Sequence, residues 1–152
     1  MCIAFGLIAL LEGFSSTAYP DADGWSVGYG THNVHPNMVV TEEQAKRLAC
    51  EDINEIQKLL DTTVPFPLTL TKRIALTSLV YNIGIGGWLK SRTLRELRRG
   101  NLSGALAGFN SWTKTSGQVS EVLVRRRGIE MRFATGCYVE LGQCKHMMKG
   151  LL

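Results

Sequence analysis

A break in periodicity constrains this chain more than any other feature. Residues 18 to 35 hold Gly, Asp, Pro and aromatic residues with no helical period, whereas both flanks repeat apolar residues at helical spacing. Upstream, Ile3, Leu7, Leu10 and Leu11 predict a buried first helix from residue 2 or 3 to about Glu12, stopped near Gly13. Downstream, "TEEQ" at 41 to 44 is a capping box opening a helix that runs to about Leu60. Asp23-Gly24 inside the aperiodic stretch is a hairpin-turn signal, so a small antiparallel sheet is expected between the two helices.

The fold class that follows is α+β, mainly helical. Pro65 and Pro67 interrupt the helical pattern and predict a lobe boundary near residues 61 to 68. Beyond it the sequence reads as all helical, with helices at about 70 to 82, 91 to 99, 102 to 109 and 120 to 134. Residues 137 to 152 fit a short last helix and a frayed tail equally well. At 152 residues and 45% hydrophobic, the chain has the size of one domain with a real core. Within residues 1 to 152 we expect a sheet lobe at about 13 to 60 and a helical lobe at about 61 to 136, with the first helix packed on the latter.

Charge and cysteines narrow the class without choosing within it. A net charge of +4 favours encounter with polyanions such as nucleic acid, anionic lipid or envelope polymers. The opening "CIAFGLIALL" is short of the roughly 20 apolar residues of a membrane span, and Met1-Cys2-Ile3 lacks the basic start of a signal peptide. Cys2, Cys50, Cys137 and Cys144 show neither CxxC nor Cys/His metal spacing, so no zinc site is expected. Most are expected as free thiols, with Cys137 and Cys144 near enough in sequence to bridge.

The chemistry centres on Glu12 and Asp21, nine residues apart in opposite surroundings. Hydrolysis of a glycosidic bond needs one carboxylic acid to protonate the leaving oxygen and one carboxylate to activate water or attack the sugar. Glu12, at the apolar end of a helix, is expected to be partly desolvated and to keep its proton; Asp21, in a hairpin, stays wetter and ionised. If Trp25 to Gly30 is a strand, Trp25, Val27 and Tyr29 share one face, and Ser26, Gly28 and Gly30 form a nearly bare one with room for a sugar ring. The Ser26 hydroxyl there can help Asp21 hold a water. The bland alternative makes Glu12 a solvated helix end, Asp21 a turn residue and the glycines a twisted hairpin. Asp23, next to Gly24, is better read as a turn former than as a base.

At these residues the sequence resembles the phage-type lysozymes, or endolysins, of glycoside hydrolase family 24, through Glu12, Asp21 and Ser26. "VGYG" at 27 to 30, "TEEQA" at 41 to 45, "LVYNIGIGGW" at 79 to 88, "SRTLRELRRGNLSGA" at 91 to 105 and "LVRRRGIEMRFATG" at 123 to 136 extend the similarity over about residues 3 to 136. The resemblance implies a two-lobed fold, a small sheet lobe joined by a long helix to a helical lobe, with the cleft between them. It also implies a substrate, the β-1,4 bond after N-acetylmuramic acid in peptidoglycan, with Glu12 as acid, Asp21 as base, Ser26 as water-positioning hydroxyl and no cofactor or metal. Gly28, Gly30 and His32 are carried over as substrate-binding positions in the cleft wall, and Tyr81, Asn82 and Ser91 across it.

Two departures stand out. The family's usual third residue is Thr, and Ser26 lacks the methyl that restricts its rotamer. The family often has His after "GYG", whereas here Thr31 precedes His32; His35, beside Pro36, reads as surface. Tyr81 and Ser91 also have structural readings, as core and helix cap, and Trp88 and Trp112 read as core rather than sugar platforms. Arg125, Arg126 and Arg127 fall on three sides of one helix and read as structural, while Lys90, Arg92, Arg95, Arg98 and Arg99 form a denser basic run. The alternatives to an inverting muramidase are a lytic transglycosylase, which would leave Asp21 and Ser26 without a role, and a peptidoglycan- or membrane-binding module. A monomer without nucleic-acid partner or stable membrane insertion is expected, held in the host cytoplasm until a holin admits it to the periplasm and wall.

Overall fold

The computed structural model describes residues 2–21 and 24–136. Asp23 and the 137 to 152 tail, with Cys137 and Cys144, lie outside the described residues. The chain forms two compact units, Met1–Lys58 and Leu59–Leu152.

The first unit begins with α1 (Phe5–Glu12), which buries Phe5, Leu7 and Ile8. The face differs from the expected one, because the helix starts only at Phe5: Ile3 precedes it, and Leu10 is 75% exposed. Gly13, at φ 72°, ends the helix, its N–H donating to the Ala9 carbonyl at 3.1 Å. Three antiparallel strands follow, β1 (Ser15–Asp21), β2 (Gly24–Gly28) and β3 (Thr31–His32), in the order β1-β2-β3. Then comes α2 (Glu42–Thr63), which ends three residues beyond the expected Leu60 and whose residues from Leu59 on belong to the second unit. Its capping box closes as expected: Thr41 Oγ1 accepts from Gln44 N–H at 3.2 Å, and Gln44 Oε1 accepts from Thr41 N–H at 2.8 Å.

Tyr29 gathers this unit. Its ring packs edge-on against Phe5 at 5.1 Å and tilted against Phe14 at 5.4 Å, and its hydroxyl donates to Glu42 Oε1 at 3.0 Å. Helix, sheet and the first turn of α2 therefore share one aromatic contact, placing Tyr29 of "VGYG" in the core. The expectation of free thiols is corrected here. Cys2 and Cys50 form a disulfide across 48 residues, with Cα atoms 5.6 Å apart. Spacing in sequence carried no sign of this, because the approach is made by the segment before α1 meeting the middle of α2.

The second unit holds α3 (Leu70–Lys90), α4 (Arg92–Arg98), α5 (Leu102–Phe109) and α6 (Glu121–Ala134), with α4 packed on α5 and α3 on α6. Thr69, Ser91, Asn101 and Ser120 cap them in that order through side-chain oxygens. The break expected after residue 82 falls at Gly84, whose φ of 74° and ψ of 163° interrupt α3. The all-helical expectation for this part is corrected by a short hairpin, β4 (Lys114–Thr115) with β5 (Gln118–Val119). Its turn residues Ser116 and Gly117 both have positive φ, 51° and 80°, as a type I′ turn requires.

Arg126 and Arg127 of α6 converge on one buried carboxylate, whereas Arg125 is exposed. Glu130, fully buried, accepts from Ser78 Oγ at 2.7 Å, Arg126 Nε at 3.2 Å and Arg127 Nη2 at 3.1 Å, and pairs with Arg127 Nε at 2.9 Å. Burial pushes the Glu130 carboxyl above its usual range, opposed by Arg127, Ser78 and Arg126. Trp88, also fully buried, donates Nε1–H to Thr63 Oγ1 at 3.1 Å, and is core as expected.

Candidate active site

The strand register of the first unit assembles the acidic site. Tyr19 on β1 lies opposite Ser26 on β2, and Ser26 lies opposite His32 on β3, so the three form one cross-strand row. Asp21, two residues beyond Tyr19, projects to the same face because strand side chains alternate. Ser26 Oγ donates to Asp21 Oδ2 at 2.9 Å and stands 3.0 Å from His32 Nδ1. Ser26 is fully enclosed, whereas Asp21 is exposed and His32 half-buried.

Glu12 reaches the same neighbourhood from the end of α1. It is half-buried, and a Cβ placed on Gly30 would stand 3.4 Å from its carboxyl carbon and Oε2. Gly30 has φ 88°, so the β2–β3 turn passes close to the carboxyl at a conformation natural to glycine. Tyr19 registers both acids: burial first, then the Asp21 and Glu12 charges, raise its phenol above the usual value of 10.0. Sequence reasoning passed over Tyr19. Its place two residues before Asp21 in a strand was the signal available.

The bare glycine face expected from alternation is corrected. Gly28 has φ 66°, which ends the strand and turns the chain onto α2; a Cβ there would stand 2.6 Å from Ala45 Cβ. Gly28 is small so that β2 can approach α2, and it is buried. Thr31 also faces α2, donating its buried hydroxyl to Asp52 Oδ2 at 2.9 Å. Burial raises the Asp52 pKa, the Thr31 bond lowers it, and Glu55 and Glu51 raise it further.

In the second unit, Tyr81 is half-buried and Asn82 exposed on α3. Arg127 Nη2 donates to Asn82 Oδ1 at 2.9 Å, which fixes the amide's orientation and ties it to the Glu130 cluster. Ser91 is buried and its Oγ accepts from Leu94 N–H at 3.0 Å, the geometry of the N-cap reading. Among the described residues no group of three or more His, Cys, Asp or Glu could hold a metal ion.

The first unit thus holds a serine-bonded aspartate on a small sheet and a glutamate at the end of the helix before it, within a mainly helical chain. Comparison with known proteins narrows this. The profile of the phage lysozyme family matches residues 9–130. An endolysin of Acyrthosiphon pisum secondary endosymbiont phage 1 is 42% identical over 110 residues, covering 71% of this chain and 75% of the relative. A SAR-endolysin of Enterobacteria phage P21 is 31% identical over 123 residues, covering 79% of this chain and 74% of the relative. Among solved structures, the muramidase domain of SpmX from Asticaccaulis excentricus aligns with a TM-score of 0.78 at 31% identity, over 86% of this chain and 93% of that one. The chain belongs to the phage lysozyme family, and it is a lysozyme of the endolysin type.

Proposed function

We propose that this lysozyme hydrolyses the β-1,4 bond between N-acetylmuramic acid and N-acetylglucosamine in peptidoglycan, with Glu12 as general acid and Asp21 as general base. The observation that carries the reading is the placement of two carboxyl groups in the first unit, Glu12 at a helix end beside Gly30 and Asp21 on the sheet with Ser26 at 2.9 Å. Protonation of the leaving oxygen by Glu12 and removal of a water proton by Asp21 would invert the anomeric centre. Ser26, expected as a water-positioning hydroxyl, is enclosed and donates to Asp21, so in our reading it acts by orienting the base. Gly30, Tyr81 and the exposed Asn82 keep their proposed substrate-side roles; His32 meets Ser26 instead, and Gly28 and Ser91 are better explained by packing and capping.

The protein serves host-cell lysis, in our reading as a monomer. Among the described residues no helix is long and apolar enough to cross a membrane. We place the protein in the host cytoplasm until a holin opens the membrane, and at the wall afterwards. Oxidation of Cys2 and Cys50 fits the wall side, where disulfides persist. Digestion of purified peptidoglycan tests the chemistry. New reducing ends, first seen by NMR as the α-anomer before mutarotation, are expected. Anhydro products would mean a transglycosylase, no new ends a binding module, and an initial β-anomer a retaining mechanism.

A further inference from the structure

The Ser26 hydroxyl has one proton and two neighbours able to take it, Asp21 Oδ2 at 2.9 Å and His32 Nδ1 at 3.0 Å. An ionised Asp21 accepts and cannot donate, so the serine proton goes to it. The contact between Ser26 and His32 is then a hydrogen bond only if Nδ1 carries a proton and donates. If Nδ1 were bare, it would compete with Asp21 for the same hydroxyl proton. The surroundings hold the ring where this decision is made. His32 is paired with Ser26 in the β2–β3 register, and a Cβ on Gly24 would stand 3.1 Å from ring atoms Cε1 and Nε2.

We infer that His32, through a proton on Nδ1, is a positioning residue that locks the Ser26 hydroxyl onto Asp21 and so fixes the base; this rests on Asp21 being the base, as proposed above. The inference also accounts for a serine where the family has threonine. A methyl group restricts the threonine rotamer from within the side chain. Here the restriction comes from outside, as a second hydrogen bond to an enclosed hydroxyl. The order Thr31-His32 makes this possible: Thr31 turns to Asp52 on α2, and the next residue falls on the Ser26 face.

The state of the ring is read without any substitution. In ¹⁵N-labelled protein at neutral pH, His32 Nδ1 should show the chemical shift and attached proton of a protonated nitrogen. A bare Nδ1 with the proton on Nε2 would overturn the inference. Kinetics on solubilised glycan strands supply the second reading. His32→Phe keeps a ring without a donor and should lower kcat about tenfold or more, with KM within about twofold. His32→Asn puts an amide nitrogen the same number of bonds from Cβ as Nδ1 and should retain most of kcat; His32→Gln, whose nitrogen lies one bond further out, should not. Parent-like kcat in His32→Phe, or equal loss in the Asn, Gln and Phe variants at unchanged thermal stability, would sink the role of His32. Glu12→Gln run alongside separates the two readings: if that variant stays active, the acid–base assignment itself fails, whatever His32 does.

Discussion

Each unit of this protein holds a hydrogen-bonded cluster around one carboxylate, and the two differ in where that carboxylate ends. In the second unit Glu130 is fully buried among Ser78, Arg126 and Arg127, all of them supplied by the protein. In the first unit Ser26 is enclosed between Asp21 and His32, but Asp21 itself is exposed. A charge closed in by its own partners specifies packing, and removing one partner leaves a buried charge uncompensated. A charge held on one side and open on the other can meet a substrate. The contrast says that a polar cluster should be read by the exposure of its terminal group, since both clusters are rich in strong hydrogen bonds.

The comparison is sharpened most by substituting the two glutamates. Glu12→Gln keeps shape and cannot donate a carboxyl proton, so wall-degrading activity should fall about 100- to 10,000-fold, with the unfolding midpoint unchanged. Activity near the parent rate in turbidity assays would break the assignment. Glu130→Ala should do the reverse, costing roughly 3–5 kcal/mol of stability by leaving the Arg126 and Arg127 charges buried without the carboxylate that compensates them. Urea denaturation measures that loss, while the folded fraction should keep far more of its activity than Glu12→Gln does. If Glu130→Ala instead killed catalysis at full stability, the division into a packing cluster and a chemical one would be wrong.

Two smaller effects test the frame of the first unit. Replacing both Cys2 and Cys50 by Ser should lower stability by roughly 2–4 kcal/mol, the range for closing a long loop, and dithiothreitol should act on the parent alone. The Asp52 pKa is raised, so the folded state holds that proton more tightly than the unfolded one. Its contribution to stability is present below the ordinary value of 3.8 and is lost as pH rises through the folded value. Asp52→Asn, still able to accept from Thr31, should therefore gain on the parent as pH rises from the carboxylate range to neutrality. Solvent screening at this part-exposed group keeps the gain under about 1 kcal/mol. Parallel pH–stability curves for the two proteins would show that burial of Asp52 carries no such cost.

The sequence by itself determined the main helices and the place of the sheet, because these depend on local rules. The capping box at Thr41, the stop at Gly13 and the aperiodic stretch from 18 to 35 act over a few residues and leave their mark in the order of side chains. Even the missed β4–β5 hairpin carried a local sign in Ser116-Gly117. Only the tertiary structure decided what meets across long separations. It brought Cys2 to Cys50, Arg127 to Asn82 and Gly28 to Ala45, and it turned an expected open face into a packed one. It also decided the partners of Ser26. Strand alternation puts a serine on a face, but the register of three strands puts His32 beside it and Asp21 within reach. Register follows from the turns that join the strands and from which face of the sheet is buried, and no spacing along one strand can encode it.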